Sequence, residues 1–261
     1  SPSKSEGSRA RMARPHPDKM SFLEHLEELR QRLVRSAVAL VVGFGVCWGF
    51  RERIFHFMTA PLRAAGFEGE FIYTGPAEAL MLYMKMAFFL GIFVALPYLL
   101  WEVWGFIAPG LYANEKIYVV PFIFFGTLFF VGGAAFGHYY LFPSAFAFLG
   151  EFGGKDMKFM PKIDEYWGFY SWFLLGLGLV FQIPVIIFVL ARIGLVTPGL
   201  LLRGWKFAIM GAFVVSAFIT PSPDMVNQTM LALPMIGLYI LGVTVAWLFG
   251  RPRKDEAGDA K

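Results

Sequence analysis

The carboxylates Glu24, Glu27 and Glu28 lie in the stretch SFLEHLEELRQRL, Ser21 to Leu33, directly before the first long apolar run. Spacings of three and four place them together on one side of a helix. Phe22, Leu26, Leu29 and Leu33 form an apolar stripe on another side. Ser21 and Glu24 make an S-x-x-E capping box that starts the helix. A further carboxylate, Glu115, stands in the short segment GFIAPGLYANEK, residues 105–116, beside a membrane-length apolar run. Carboxylates of this kind can accept paired hydrogen bonds from a guanidinium, so this acidic cluster and Glu115 together could hold a basic peptide. Arg should be preferred to Lys, because a planar fork matches a carboxylate and a point charge does not. The plainer alternative is a solvated helix face on which Glu28 pairs with Arg32 at i,i+4, worth a few tenths of a kcal/mol.

Other chemistry is poorly represented. No Gly-rich phosphate loop with Lys-Ser/Thr occurs, and His16, His25, His56 and His138 are scattered over different segments. Cys47 is the single cysteine, which excludes a disulfide framework or a thiolate metal site. An ATPase or a metalloenzyme is therefore not expected, and neither is a cofactor. Lys85, Gln182 and Asp224 are the polar residues in or beside apolar runs that need a reason. Lys85 is placed to snorkel, and Gln182 can satisfy a backbone carbonyl freed near Pro184 or bond to a neighbouring helix. Asp224 can cap the last helix. A polar route through these three for a secondary transporter is the rival reading, although no inverted repeat is evident. A scaffold for single-span helices is a third.

The elements that position these residues follow from hydropathy. The chain has 261 residues, 57% hydrophobic and only 16% charged, against about a quarter charged in a soluble domain. Six runs are long enough or nearly so to cross a hydrocarbon core of about 30 Å. They fall at about 33–50, 78–104, 117–142, 166–190, 205–219 and 226–249, the fifth being short. Pro97, Pro121, Pro184 and Pro234 predict kinks and a concave bundle. Gly133 and Gly137 give a small-residue face for packing. Lys and Arg number 16 in the segments on the side of both termini and 6 in the opposite loops, 51–77 and 143–165. That asymmetry predicts both termini in the cytoplasm, with the two larger loops as caps on the outer surface. The net charge of +4 reflects this topology and not a nucleic-acid groove. Residues 1–20 and 250–261 read as disordered cytoplasmic tails flanking a membrane domain over 21–249, with Met12 or Met20 as candidate starts.

At this point the run HLEELRQRL resembles the N-terminal signature of the TatC family, the receptor core of the twin-arginine protein translocase. TAPL (59–62), WGFIAPGLYANEK (104–116), FPSAFAF (142–148) and TPSPDMVNQTMLALPM (220–235) extend the resemblance over nearly all of the chain after Met20. The resemblance implies binding of twin-arginine signal peptides of folded precursors at the cytoplasmic face of a bacterial or archaeal inner membrane. It further implies recruitment of single-span TatA- and TatB-type partners, contact with other TatC copies, and transport driven by proton-motive force. The family's signal-binding carboxylates fall on Glu28 and Glu115, with Arg30, Phe106, Pro109, Leu111 and Tyr112 shaping that surface. Partner docking falls on Thr220 and Gln228 and, at a position often Glu in the family, Gln182. Lys85 and Asp224 match positions the family commonly uses. Gln182 for Glu, Ile117 after Lys116, and Ile240 for an acidic residue are the departures.

Overall fold

The computed structural model describes residues 22–66, 71–107, 118–151, 161–220 and 225–250. Helix α1 runs unbroken from Phe22 to Trp48, so the acidic stretch and the first apolar run form one rod. Helix α2 (Arg51–Ala64) follows after a tight turn, and α3 spans Glu78–Ile107. Helix α4 (Val119–Phe136) passes through a π turn, Gly137–Leu141, into α5 (Phe142–Glu151). Helices α6 (Ile163–Val180) and α7 (Ile183–Arg192) form one apolar run interrupted by a turn. The short α8 (Pro198–Arg203) leads to α9 (Trp205–Ile219) and α10 (Met225–Phe249).

This is an all-α integral membrane protein. Among the described residues, five runs are long and apolar enough to cross a membrane: Leu26–Trp48, Glu78–Phe106, Val119–Gly150, Ile163–Arg192 and Met225–Phe249. The fifth predicted span, α9, has 15 residues and so measures about 22 Å, short of the hydrocarbon thickness. Val34, Val38, Val41 and Val42 on α1 are all more than half exposed, as expected of side chains whose solvent is lipid.

Two expected boundaries are corrected. The predicted loop 143–165 begins as helix, because α5 carries the third span on to Glu151. Pro143 removes one backbone donor, but the preceding π turn re-registers the ladder, and Ser144 Oγ donates to Tyr140 O at 2.8 Å. The predicted loop 51–77 is largely the helix α2, and its distal part pairs with the residues that lead into α6. There Ile163 N donates to Ile72 O at 3.1 Å.

Proline effects are uneven. Pro97 and Pro234 lie inside continuous helices, whereas the fourth span breaks at Phe181–Gln182, just before Pro184. Gln182 stands at the break, and its side chain reaches across to the neighbouring helix. Its Nε2 donates to Gly126 O on α4 at 2.8 Å, which ties the broken run to its neighbour. Such a bond contributes about 0.6–2 kcal/mol.

The core is aromatic and lies between α2, α3, α5 and α6. Phe142, Tyr170 and Phe173 are fully buried, and the Tyr166 hydroxyl donates to Met58 O at 2.6 Å. His138, which sequence left without a role, shares a 2.7 Å hydrogen bond with the Tyr170 hydroxyl and stacks on Phe57 at 4.3 Å. Gly133 and Gly137 face Leu177, with Gly133 also against Phe181, so their small-residue face packs α4 and the π turn onto α6. Helix α1 packs chiefly on α3, and α10 on α7 and α9. At the α1–α3 crossing a Cβ on Gly43 would lie 2.5 Å from Gly91 O, so the two backbones touch. That contact fixes how the acidic end of α1 meets the end of α3.

Candidate functional site

Four residues apart on α1, Glu28 and Arg32 occupy the same helix face, as the plainer alternative required. The pair does form: Arg32 donates to Glu28 Oε1 through Nε at 3.0 Å and through Nη2 at 2.5 Å. It is not, however, an isolated surface pair. Arg32 Nη1 donates to Glu102 Oε2 on α3 at 3.1 Å and approaches the Glu102 carbonyl oxygen at 3.5 Å. Glu102 is 5% exposed, and Glu28 and Arg32 are each 20% exposed. One guanidinium thus bridges two carboxylates across the α1–α3 interface. Its charge is permanent, so the cluster carries one negative charge in excess when both acids are ionised.

The surroundings explain the geometry. Trp104 is buried against Phe122 with ring centroids 4.9 Å apart, which holds the end of α3 against α4. Tyr98, one turn before Glu102, lies on the same face of α3 as that carboxylate. Gly105, one turn after, leaves the space that the guanidinium fills, because a Cβ there would collide with Arg32 Nη1. Gly105→Ala is therefore expected to push Arg32 off Glu102 while preserving the helix. A fall in thermal midpoint of a few degrees, abolished when Arg32→Ala is added, is the outcome to measure.

Glu102 is the site residue that sequence reasoning missed. Its signal was an acid within the apolar run WEVW, where an ionisable group calls for a named partner. Glu28 lies in the cluster. Arg30 points away, 77% exposed and 3.7 Å from Glu27, and contributes little to the fold. Phe106 lies in the last turn of α3, half-buried. Glu115, Pro109, Leu111 and Tyr112 lie outside the described residues, as do Asp224 and the side chain of Glu24.

At the other candidate surface, the structure brings Thr220 and Gln228 together through a residue not anticipated, Ser216. The fully buried Ser216 donates to Gln228 O at 2.6 Å, while Thr220 Oγ1 donates to Ser216 O at 2.8 Å. Gln228 Nε2 donates back to Phe213 O at 2.9 Å. These bonds clasp the end of α9 to the start of α10. Gln182 is not part of this cluster; it is buried and bonded to α4. Lys85 does more than reach outward: its Nζ lies 2.5 Å from Asp164 on α6. Both partners are nearly half exposed, so the pair orients more than it stabilises.

The carboxylate–guanidinium bridge joins α1 to α3 in a chain whose likeness to known proteins is extensive. The family model described as Sec-independent protein translocase protein (TatC) matches residues 24–234. The chain belongs to the TatC family. The Sec-independent protein translocase protein TatC of Koribacter versatilis is 43% identical over 97% of this chain and 96% of its own. That of Helicobacter pylori strain J99 is 38% identical over 90% of this chain and 92% of its own. Among solved structures, the crystal structure of a twin arginine translocase receptor, TatC, superposes with a TM-score of 0.72 at 32% identity. It covers 87% of this chain and 100% of that one. As a TatC protein, the chain is a multi-pass membrane component of Sec-independent protein translocation.

Proposed function

We propose that this protein is the receptor core of a twin-arginine translocase, reading the arginines of signal peptides on folded precursors through Glu28. The observation that carries this reading is the Glu28–Arg32–Glu102 bridge. The fold already holds one guanidinium between carboxylates there, with one negative charge in excess. A signal arginine is the same chemical group. Glu115, following the last turn of α3 in sequence, is the second carboxylate in this proposal, with Arg30, Phe106, Pro109, Leu111 and Tyr112 around it. The acidic end of α1 faces the cytoplasm and both termini lie there, in the cytoplasmic membrane, as the positive-inside count argues.

A fully exposed ion pair contributes only about 0–1 kcal/mol. The interfacial shielding of Glu28 and burial of the signal's apolar segment, at about 25 cal/mol per Å², supply the remainder. Single-span TatA- and TatB-type partners dock against α9 and α10, where the Ser216 clasp fixes Thr220 and Gln228. The short α9 leaves a thin apolar wall that suits a transient helix partner. Further TatC copies complete the assembly, and proton-motive force drives transport.

Photocrosslinking tests the reading. A photoreactive residue at Leu29, exposed on α1 beside Glu28, is expected to capture a twin-arginine signal peptide. One at Phe57, on α2, is not. Equal capture at both positions would reject a receptor face at Glu28.

A further inference from the structure

Glu28 is not free to receive a ligand as it stands. Two donors of Arg32 occupy its Oε1, and its Oε2 is buried without a hydrogen-bond partner among the described residues. A guanidinium that binds in paired fashion needs both oxygens. Arg32 must therefore withdraw before a signal arginine can engage. Withdrawal into nothing would strand a cation that is only 20% exposed, and would leave Glu102, 5% exposed, as a buried unpaired anion.

We infer that Glu102 is the counter-ion to which Arg32 is handed when a signal arginine claims Glu28, so that the receptor site is an ion-pair exchanger. This inference rests on the assignment of Glu28 as arginine reader. Glu102 already holds Arg32 Nη1 at 3.1 Å, so a rotation of the guanidinium, with no change of backbone, converts a shared cation into a private one. The guanidinium already lies over Gly105, where a Cβ would collide with Arg32 Nη1, so it is seated against α3 before any exchange. Charge balances at each stage. Two carboxylates share one cation before binding, and two complete pairs exist afterwards.

The exchange also sharpens arginine over lysine. The incoming group must replace two donors on Glu28 Oε1 and satisfy Oε2 as well, which a fork does and an ammonium does less completely. Glu102 never touches the signal. It is a positioning residue, and its effect should appear in discrimination between the two cations.

The test uses the full chain in detergent or nanodiscs and two fluorescent signal peptides, one with paired arginines and one with paired lysines. Glu102→Gln is expected to weaken the arginine peptide about tenfold, because Arg32 then has only Glu28 as a charged partner. The lysine peptide should change less than about twofold, so the arginine-to-lysine ratio collapses. Adding Arg32→Gln to Glu102→Gln frees Glu28 and is expected to restore arginine binding to within about twofold of wild type. Glu27→Gln removes the same unit of charge from exposed surface and should leave both affinities within about twofold.

An unchanged ratio in Glu102→Gln, or a double variant as weak as the single, would overturn the exchange. A Glu27→Gln effect as large as that of Glu102→Gln would reduce it to bulk charge. If the double variant does not fold, Glu102→Asp replaces it; binding near wild type supports the exchange, and loss equal to Glu102→Gln overturns it. Normal arginine binding by Glu28→Gln would instead refute the receptor reading itself.

Discussion

Glu28→Gln is expected to weaken binding of a twin-arginine signal peptide by about 10- to 100-fold while leaving the protein folded. The magnitude follows from removing the charge of a partly shielded acceptor, where charge-assisted hydrogen bonds contribute about 1.5–3 kcal/mol. The preserved fold follows from the bridge: Arg32 retains Glu102 at 3.1 Å, so no cation is orphaned. A thermal midpoint within a few degrees of wild type, measured beside the lost affinity, separates this outcome from general destabilisation. The converse substitution, Glu102→Leu, leaves Arg32 with Glu28 but removes the carboxylate that joins α1 to α3. The two acids are therefore not equivalent: Glu28 is 20% exposed and Glu102, at 5%, is buried in the fold.

Gly43→Ala is expected to be the most damaging small change in the membrane domain. A Cβ on Gly43 would sit 2.5 Å from Gly91 O, and on Gly91 it would sit 2.8 Å from Phe44 N. Both obstacles are backbone, which cannot rotate aside as a side chain does. Overpacking of this kind costs about 1–3 kcal/mol, and α1 must move away from α3 to relieve it. The bridge at the end of the same two helices should then loosen, so Gly43→Ala is predicted to lower both the unfolding midpoint in detergent and signal affinity. Gly45→Ala, on the same helix with open space at its Cβ, is the control and should change neither. A neutral Gly43→Ala would show that the α1–α3 crossing is not what sets the site.

Much of this was legible in the sequence because lipid is an unforgiving solvent. A backbone in hydrocarbon must close its own hydrogen bonds, so apolar runs of about 20 residues announce themselves as helices. At Pro184 a kink was legible where the helix in fact breaks, and of the two roles open to Gln182 the bond to a neighbouring helix is the one it takes. The continuation of the third span past Pro143 was not legible, since a π turn at Gly137–Leu141 has no simple sequence signature. Helical spacing alone placed Glu24, Glu27 and Glu28 in one acidic cluster and allowed the Glu28–Arg32 pair; the family resemblance, not spacing, singled out Glu28 among the three.

Glu102 carried a signal as an acid in an apolar run, but its role was not legible, because its partner lies 70 residues away and nothing local pairs the two. Ser216 was missed likewise: a lone serine in an apolar helix looks inert until α10 lays the Gln228 carbonyl beside it. In both cases helix periodicity specifies which face a residue occupies, while long-range packing decides what that face meets. The two most informative polar contacts of the fold are therefore those that local patterns leave unassigned.

The most direct measurement of the central claim is the affinity of the purified protein for a signal peptide with paired arginines against the same peptide with paired lysines. If the carboxylate cluster around Glu28 reads guanidinium groups, the arginine peptide binds at least about tenfold tighter, and Glu28→Gln erases the difference. Equal affinity for the two peptides in the wild-type protein, or a preference that survives Glu28→Gln, would contradict it.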